Sequence, residues 1–357
     1  MSVLTVLICS LVAQSDTAVD HPVQPGRSFE AADSLKIPSD TSRVARKSLN
    51  RLKWKPESFE IDIEPSDERR AVLVRFPSPV SSDDSTNDRV AMEWYPPCSK
   101  DGQRLDQSKS FPAVVVVHES GRRMTVGRMF AGNLAARGLH TFLIHLPHYG
   151  ARVKPGQRRN DMIAMQAFPQ AIADVRRARD AVAVLPGIDR NRIALQGTSL
   201  GGIVSATAGS LDDAFDGVFL ILAGGDLESM IQNGQNESAQ VRRKLRQAGI
   251  SDDELRKWIE PIEPLRVAHR LNPKRTWLFS GAYDQVIPKA NSDALAKAAA
   301  LDREHHIVMP ADHYTGIIFM PVIVQKIADS IHGQESAAID LPGPDPPERS
   351  SAVSQSQ

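Results

Sequence analysis

Apolar positions along the chain follow two periods, and the switching between them predicts the elements. Phe59 to Ile63 and Ala71 to Phe76 read as strands, and Val90, Met92 and Trp94 alternate with charged or small neighbours. That is the pattern of antiparallel strands toward one edge of a sheet. Ala113 to Val117 is uniformly apolar and β-branched, as expected of a central parallel strand covered on both faces. Met129 and Leu134 belong to a helix that stops at Gly138, and Thr141 to Ile144 is the next strand. Met162, Met165, Phe168, Ile172, Val175 and Val182 recur at helical spacing through one long stretch ending near Pro186-Gly187; these methionines read as core. Ile193 to Leu195, Val218 to Leu222 and Thr276 to Phe279 supply further strands, with Trp277 and Phe279 as sheet core. This βαβ succession predicts an α/β fold with a mostly parallel central sheet flanked by helices.

Three intervals fall outside the rhythm. Residues 228–274 are charged and helical without a core strand, which predicts a small helical cap inserted between two strands, or else a surface excursion. Residues 16–50 are rich in Ser, Asp, Pro and Arg and read as a flexible leader, and 333–357 read as a disordered tail. The α/β domain then occupies 51–332.

Charge and cysteine content narrow the classes. The 357 residues carry 43 basic and 43 acidic side chains, so no bulk field favours nucleic acid or anionic lipid. Arg122-Arg123 and Arg242-Arg243-Lys244 read as solvated faces. Two cysteines, Cys9 and Cys98, exclude a disulfide scaffold. No CxxC or paired Cys/His spacing suggests zinc, and neither His145 with His148 nor His305 with His306 has carboxylates placed to complete a metal site. The apolar run from Val3 to Ala13 is too short for an integral membrane span of roughly 20 residues. Residues 1–15 instead read as an export signal, with Ala13-Gln14-Ser15 as cleavage site and a periplasmic or secreted protein as the consequence; a cytoplasmic protein with a mis-assigned start is the alternative.

The chemistry centres on Gly197-Thr198-Ser199-Leu200-Gly201-Gly202. It follows a strand and precedes a small-residue helix, so it reads as a sharp G-x-S-x-G turn that lifts the Ser199 hydroxyl clear of the sheet. A serine hydroxyl needs a base to become a nucleophile. Two later loops at strand ends offer Asp284, in Gly281 to Pro288, and His313, in Met309 to Tyr314. Carboxyl ends of parallel strands are where such sheets place their sites.

With the elbow, the G-x-x-D-x-x-x-P loop, the late histidine and His118-Glu119-Ser120-Gly121 after the first long strand, the chain resembles the α/β-hydrolase family over roughly Val90 to Ile331. Within it, the dienelactone-hydrolase and acetyl-xylan-esterase-like branch is the nearest in pattern, although dienelactone hydrolases proper carry cysteine at the elbow. The resemblance implies Ser199 as nucleophile, His313 as general base and then acid, and Asp284 as the group that orients the imidazole. Asp226 is a rival acid, and Asp312 is poorly placed. It further implies an oxyanion hole made by the Leu200 amide and a second amide from Ser120 or Glu119. Glu119 is also a candidate to touch the elbow or to pair with Arg122 or Arg123. His118, His148, Tyr149 and Arg152 are candidates to line the substrate pocket; the alternative is that Pro147 and Gly150 merely shape that turn. The implied activity is cofactor-free hydrolysis of a small-molecule or carbohydrate-linked ester. A peptidase or amidase of the same fold, or a non-catalytic binding protein, remains the alternative.

Overall fold

A computed structural model describes residues 21–334 apart from 22, 69–70, 104, 107, 155 and 157–160. The expected export signal, Cys9 and nearly all of the expected tail lie outside the described residues. In chain order the elements are β1 (Ser28–Ala32), α1 (Arg43–Leu52), β2 (Ser58–Pro65), β3 (Val72–Pro77), β4 (Arg89–Tyr95), β5 (Phe111–Val117), α2 (Thr125–Ala135), β6 (His140–His145), α3 (Asp161–Gln166) and α4 (Phe168–Ala183). There follow β7 (Ile188–Thr198), α5 (Leu200–Gly209), β8 (Val218–Ile221), α6 (Leu227–Asn233), α7 (Glu237–Gln247), α8 (Asp252–Ile259), β9 (Thr276–Gly281), α9 (Lys289–Ala298), β10 (His306–Met309) and α10 (Met320–His332).

Among the described residues the strands form a single sheet of 10, ordered β1-β2-β3-β4-β6-β5-β7-β8-β9-β10. Pairing is antiparallel from β1 through β4 to β6 and parallel from there to β10. Residues Ala113 to Val117 of β5 are fully buried, as strands between two helical layers must be. The chain steps from β5 one way to β6, then back past β5 to β7. Right-handed crossovers therefore place α2 and α4 on opposite faces. The connections leaving β5 and β7 also run in opposite directions, which opens a crevice at their carboxyl ends.

Two expectations need correction. Residues 28–52 are not a flexible leader: β1 pairs with β2 from Ser28↔Asp62 to Ala32↔Ser58, and α1 buries Ala45, Leu49 and Leu52. Its stripe at 45, 49 and 52 is diluted by arginine and lysine. Much of the anchoring is also non-local: Asp33 pairs with the buried Arg177 at 2.6 Å, and the Ser34 amide and hydroxyl donate to Asp180 at 2.7 and 2.6 Å. No local period reveals such partners. The long helix expected from Met162 onward is instead two, α3 and α4, divided at Ala167. Pro169 stands in the first turn of α4, where its missing N–H costs nothing; in the interior of a longer helix it would break the ladder.

Candidate active site

Ser199 sits at the crevice, between the end of β7 and the start of α5, with φ 54° and ψ −115°. An L-residue reaches such a conformation only when its surroundings impose it. The flanking glycines show what imposes it. A Cβ on Gly197 would stand 2.3 Å from the Gly201 carbonyl oxygen, and a Cβ on Gly201 would stand 2.2 Å from that of Val117. The turn is thus pressed against both its own helix and the end of β5. The Ser199 amide donates to Ile221 O at 2.8 Å, which ties the turn to β8 as well.

His313, from the loop after β10, reaches Ser199, and Asp284, from the loop after β9, reaches His313. Ser199 Oγ lies 2.9 Å from His313 Nε2, and His313 Nδ1 lies 2.7 Å from Asp284 Oδ2. A carboxylate only accepts, so Nδ1 carries the proton and Nε2 is left to accept from the Ser199 hydroxyl. The other Asp284 oxygen accepts from the Val286 and Ile287 amides, each at 2.9 Å. Asp284 is therefore held from both sides and buried. Asp312 shapes the turn that presents His313: Oδ1 accepts from the Tyr314 and Thr315 amides, both at 2.8 Å. Those bonds hold its carboxyl below the usual range. Asp226 takes no part, because its side chain caps α6 through the Ser229 amide at 3.2 Å.

The loop after β5 is tied at several points. His118 is fully buried; its Nε2 accepts from the Leu146 amide at 3.1 Å, so its Nδ1 donates to Glu119 O at 2.5 Å. The Tyr149 hydroxyl donates to Ser120 O at 3.1 Å. The Glu119 carboxylate accepts from the Val126 and Gly127 amides at 3.1 and 3.0 Å. It thereby caps α2, whose own N-cap Met124 has no side-chain acceptor to offer. Neither role foreseen for this carboxylate is the one observed; an anion at a helix N-terminus satisfies two orphan amides and the dipole together. The Leu200 amide opens α5, where first-turn N–H groups have no acceptor within the helix.

Among solved structures the chain is similar to the acetyl xylan esterase from Paenibacillus sp. R4, at 13% identity and a TM-score of 0.59, over 83% of this chain and 96% of that one. It is similar to acetyl xylan esterase 1 from Thermoanaerobacterium sp. JW/SL YS485, at 14% identity and a TM-score of 0.54, over 82% and 96%. A third likeness is to a puromycin-hydrolyzing peptidase from Mycobacterium tuberculosis, at 17% identity and a TM-score of 0.54, over 78% of this chain and 46% of that one. The fold is that of the α/β-hydrolases. No family model and no curated protein matches the chain.

On this α/β-hydrolase scaffold, the candidates of the loop after β6 divide. Tyr149 lines the cavity above Ser199. Arg152 does not: it is buried in an ion pair with Asp174 at 2.7 Å and donates to Asn87 O at 2.7 Å. His118 is the loop brace just described, and is not among the cavity's walls. His148 takes a positive φ of 64°, with its amide donating to Asn87 Oδ1 at 3.0 Å, and it too is absent from the lining. Neighbouring His145 binds Glu93 at 2.9 Å beneath the loop. A residue's place in the sequence after β6 settles its distance from the crevice, but only the loop's winding settles which side chain faces it.

The cavity has a volume of about 450 Å³, within the range of roughly 300–1,000 Å³ usual for small-molecule sites. It is bounded by α5, by Met165 and Phe168 around the α3–α4 break, and by side chains of α6, α7 and α8. Met165 reads as core in the sequence, since an apolar cavity wall and a packed interior leave the same pattern. The interval between β8 and β9 meets the active-site loops directly: Tyr314 donates to Glu237 of α7 at 2.6 Å. Burial and that carboxylate together raise the Tyr314 hydroxyl to about 12.

Proposed function

We propose that the protein is a serine hydrolase that cleaves a carboxylic ester through an acyl-enzyme, without a cofactor. The observation that carries this reading is the unbroken relay from Ser199 Oγ through His313 to Asp284, at 2.9 and 2.7 Å. In it, Ser199 attacks the ester carbonyl while His313 Nε2 takes the hydroxyl proton, then returns it to the departing alcohol. A water activated by the same nitrogen releases the acid. Asp284 holds the imidazole in the required tautomer and stabilises its cationic form. The developing oxyanion would be met by the Leu200 amide and by an amide of the loop at Glu119 and Ser120. The neighbours include both esterases and a peptidase. An ester suits this cavity better, because its apolar side-chain walls offer few partners for the N–H and C=O groups of a bound peptide main chain.

The test is hydrolysis of p-nitrophenyl acetate together with fluorophosphonate labelling. Wild type should do both; Ser199→Ala should lose labelling and about 10⁵–10⁶ in kcat. An equal rate and equal labelling in Ser199→Ala would refute the assignment. We also propose that residues 1–15 are an export signal, which N-terminal sequencing of the protein recovered from periplasm or medium would check: a chain still beginning at Met1 counts against it.

A further inference from the structure

Which esters the site accepts follows from the chemistry of its walls. Around Ser199 the lining is supplied by Leu, Ile, Val, Met, Phe and Trp side chains from the sheet loops and from the helices between β8 and β9. The polar groups among the described lining residues are few, and most are engaged elsewhere. The Ser238 hydroxyl donates to Val286 O at 2.8 Å, the Glu237 carboxylate accepts from Tyr314, and the Tyr149 hydroxyl donates to Ser120 O. Gln240 and Lys244 are exposed, and so stand toward solvent at the α7 rim.

A sugar placed here would bring several hydroxyls into a space whose mostly apolar walls offer few groups to replace the water they lose. Each unmet hydroxyl weakens binding by roughly 5- to 150-fold. An apolar group gains instead, by up to about fourfold for each methylene buried. We propose that the ester taken by this site carries an apolar group of intermediate size, a straight chain or an aryl ring, and that the cavity formed with α6 to α8 receives it. Trp258 of α8 and Met165 after β6, both half-buried, are the specificity-determining walls. This proposal rests on the reading of Ser199 as the nucleophile of an ester hydrolase, and it departs from the acetylated carbohydrate in the names of two structural neighbours.

The experiment measures kcat/KM for p-nitrophenyl acetate, butyrate, hexanoate and octanoate, for a matched series of alkyl acetates, and for acetylated xylo-oligosaccharides. The rate constant should climb by roughly 20- to 200-fold over four added methylenes in one of the two ester series, which assigns the apolar group to the acyl or the alcohol side. Trp258→Ala should lower the ratio of the longer to the shorter ester in that same series by at least about tenfold, with folding verified by circular dichroism. Met165→Ala serves as the second variant should the first not fold. A flat or falling profile in both series, a ratio in the climbing series unmoved by the folded variant, or xylo-oligosaccharides turned over faster than the best ester of both series would overturn this inference and leave the ester-hydrolase reading standing. Failure to hydrolyse any ester, with no label on Ser199, would overturn both.

Discussion

Ser199 exists as a half-buried, strained serine at the crevice because two glycines let backbone approach where a methyl group could not fit. A Cβ at position 201 would overlap the Val117 carbonyl at 2.2 Å, so Gly201→Ala must push the elbow off the end of β5. We expect lower thermal stability and a larger loss of turnover than the loss of stability explains, measured by melting and by kcat on the same preparation. Asp284 and Asp226 invite a paired comparison. Asp284→Asn replaces the acceptor opposite His313 Nδ1 and should cost about 10⁴ in kcat with the fold intact. Asp226→Asn alters a helix cap on α6 and should leave kcat within a few-fold. The reverse pattern would move the acid to the loop after β8. Ser199 and Asp284 were both legible from their glycine spacing. The fate of Glu119 was not, because the donors to its carboxylate are amides at the start of a helix that the side chain meets only after the loop has turned back.

At the scale of elements, the loop from His118 to Gly121 is held by contacts from the loop after β6, through Leu146 and Tyr149. Two strand-end loops therefore act as one body. Tyr149→Phe removes the bond to Ser120 O while preserving the ring's contact with His118, 4.5 Å between centroids. We expect kcat to fall with KM nearly unchanged, by less than the roughly 10²–10³ that loss of an oxyanion donor costs. A rise in KM at constant kcat would instead make Tyr149 a substrate contact. The strands were readable because period-2 alternation and uninterrupted apolar runs are local properties. The break between α3 and α4 went unread: Pro169 stands there, but the apolar spacing continues smoothly across it.

The molecule as a whole is braced by buried charge. Glu93, almost wholly buried, binds His145 at 2.9 Å and Arg128 of α2 at 2.6 Å, joining β4, β6 and α2 behind the active-site loops. Burial alone would raise its carboxyl; the hydrogen bonds from His145 and Arg128 outweigh that and bring it down to about 2. A depressed carboxyl stabilises the fold above its unfolded value of about 4.3, and that stabilisation fades as pH falls toward 2. Urea unfolding of wild type and Glu93→Gln should differ by on the order of 3 kcal/mol at pH 7, and the difference should shrink between pH 4.5 and 2; a gap constant across that window would contradict the account. On the far side of the sheet, Asp33→Ala would leave Arg177, fully buried, with the Pro77 carbonyl, the Phe59 ring and the exposed Glu57, of which Glu57 alone carries a charge to pair with it, and should cost about 3–5 kcal/mol, measured by chemical denaturation. By itself, the sequence determined the order of strands and helices, the elbow and the three loops that carry the reacting groups, because backbone propensity and hydrophobic period act between near neighbours. Tertiary structure alone decided that residues 28–52 belong to the fold, that Arg152 and His118 are braces, and that Met165 and Phe168 face a cavity. Those outcomes depend on partners and walls contributed from roughly twenty to nearly a hundred and fifty residues away, and distance along the chain carries no record of them.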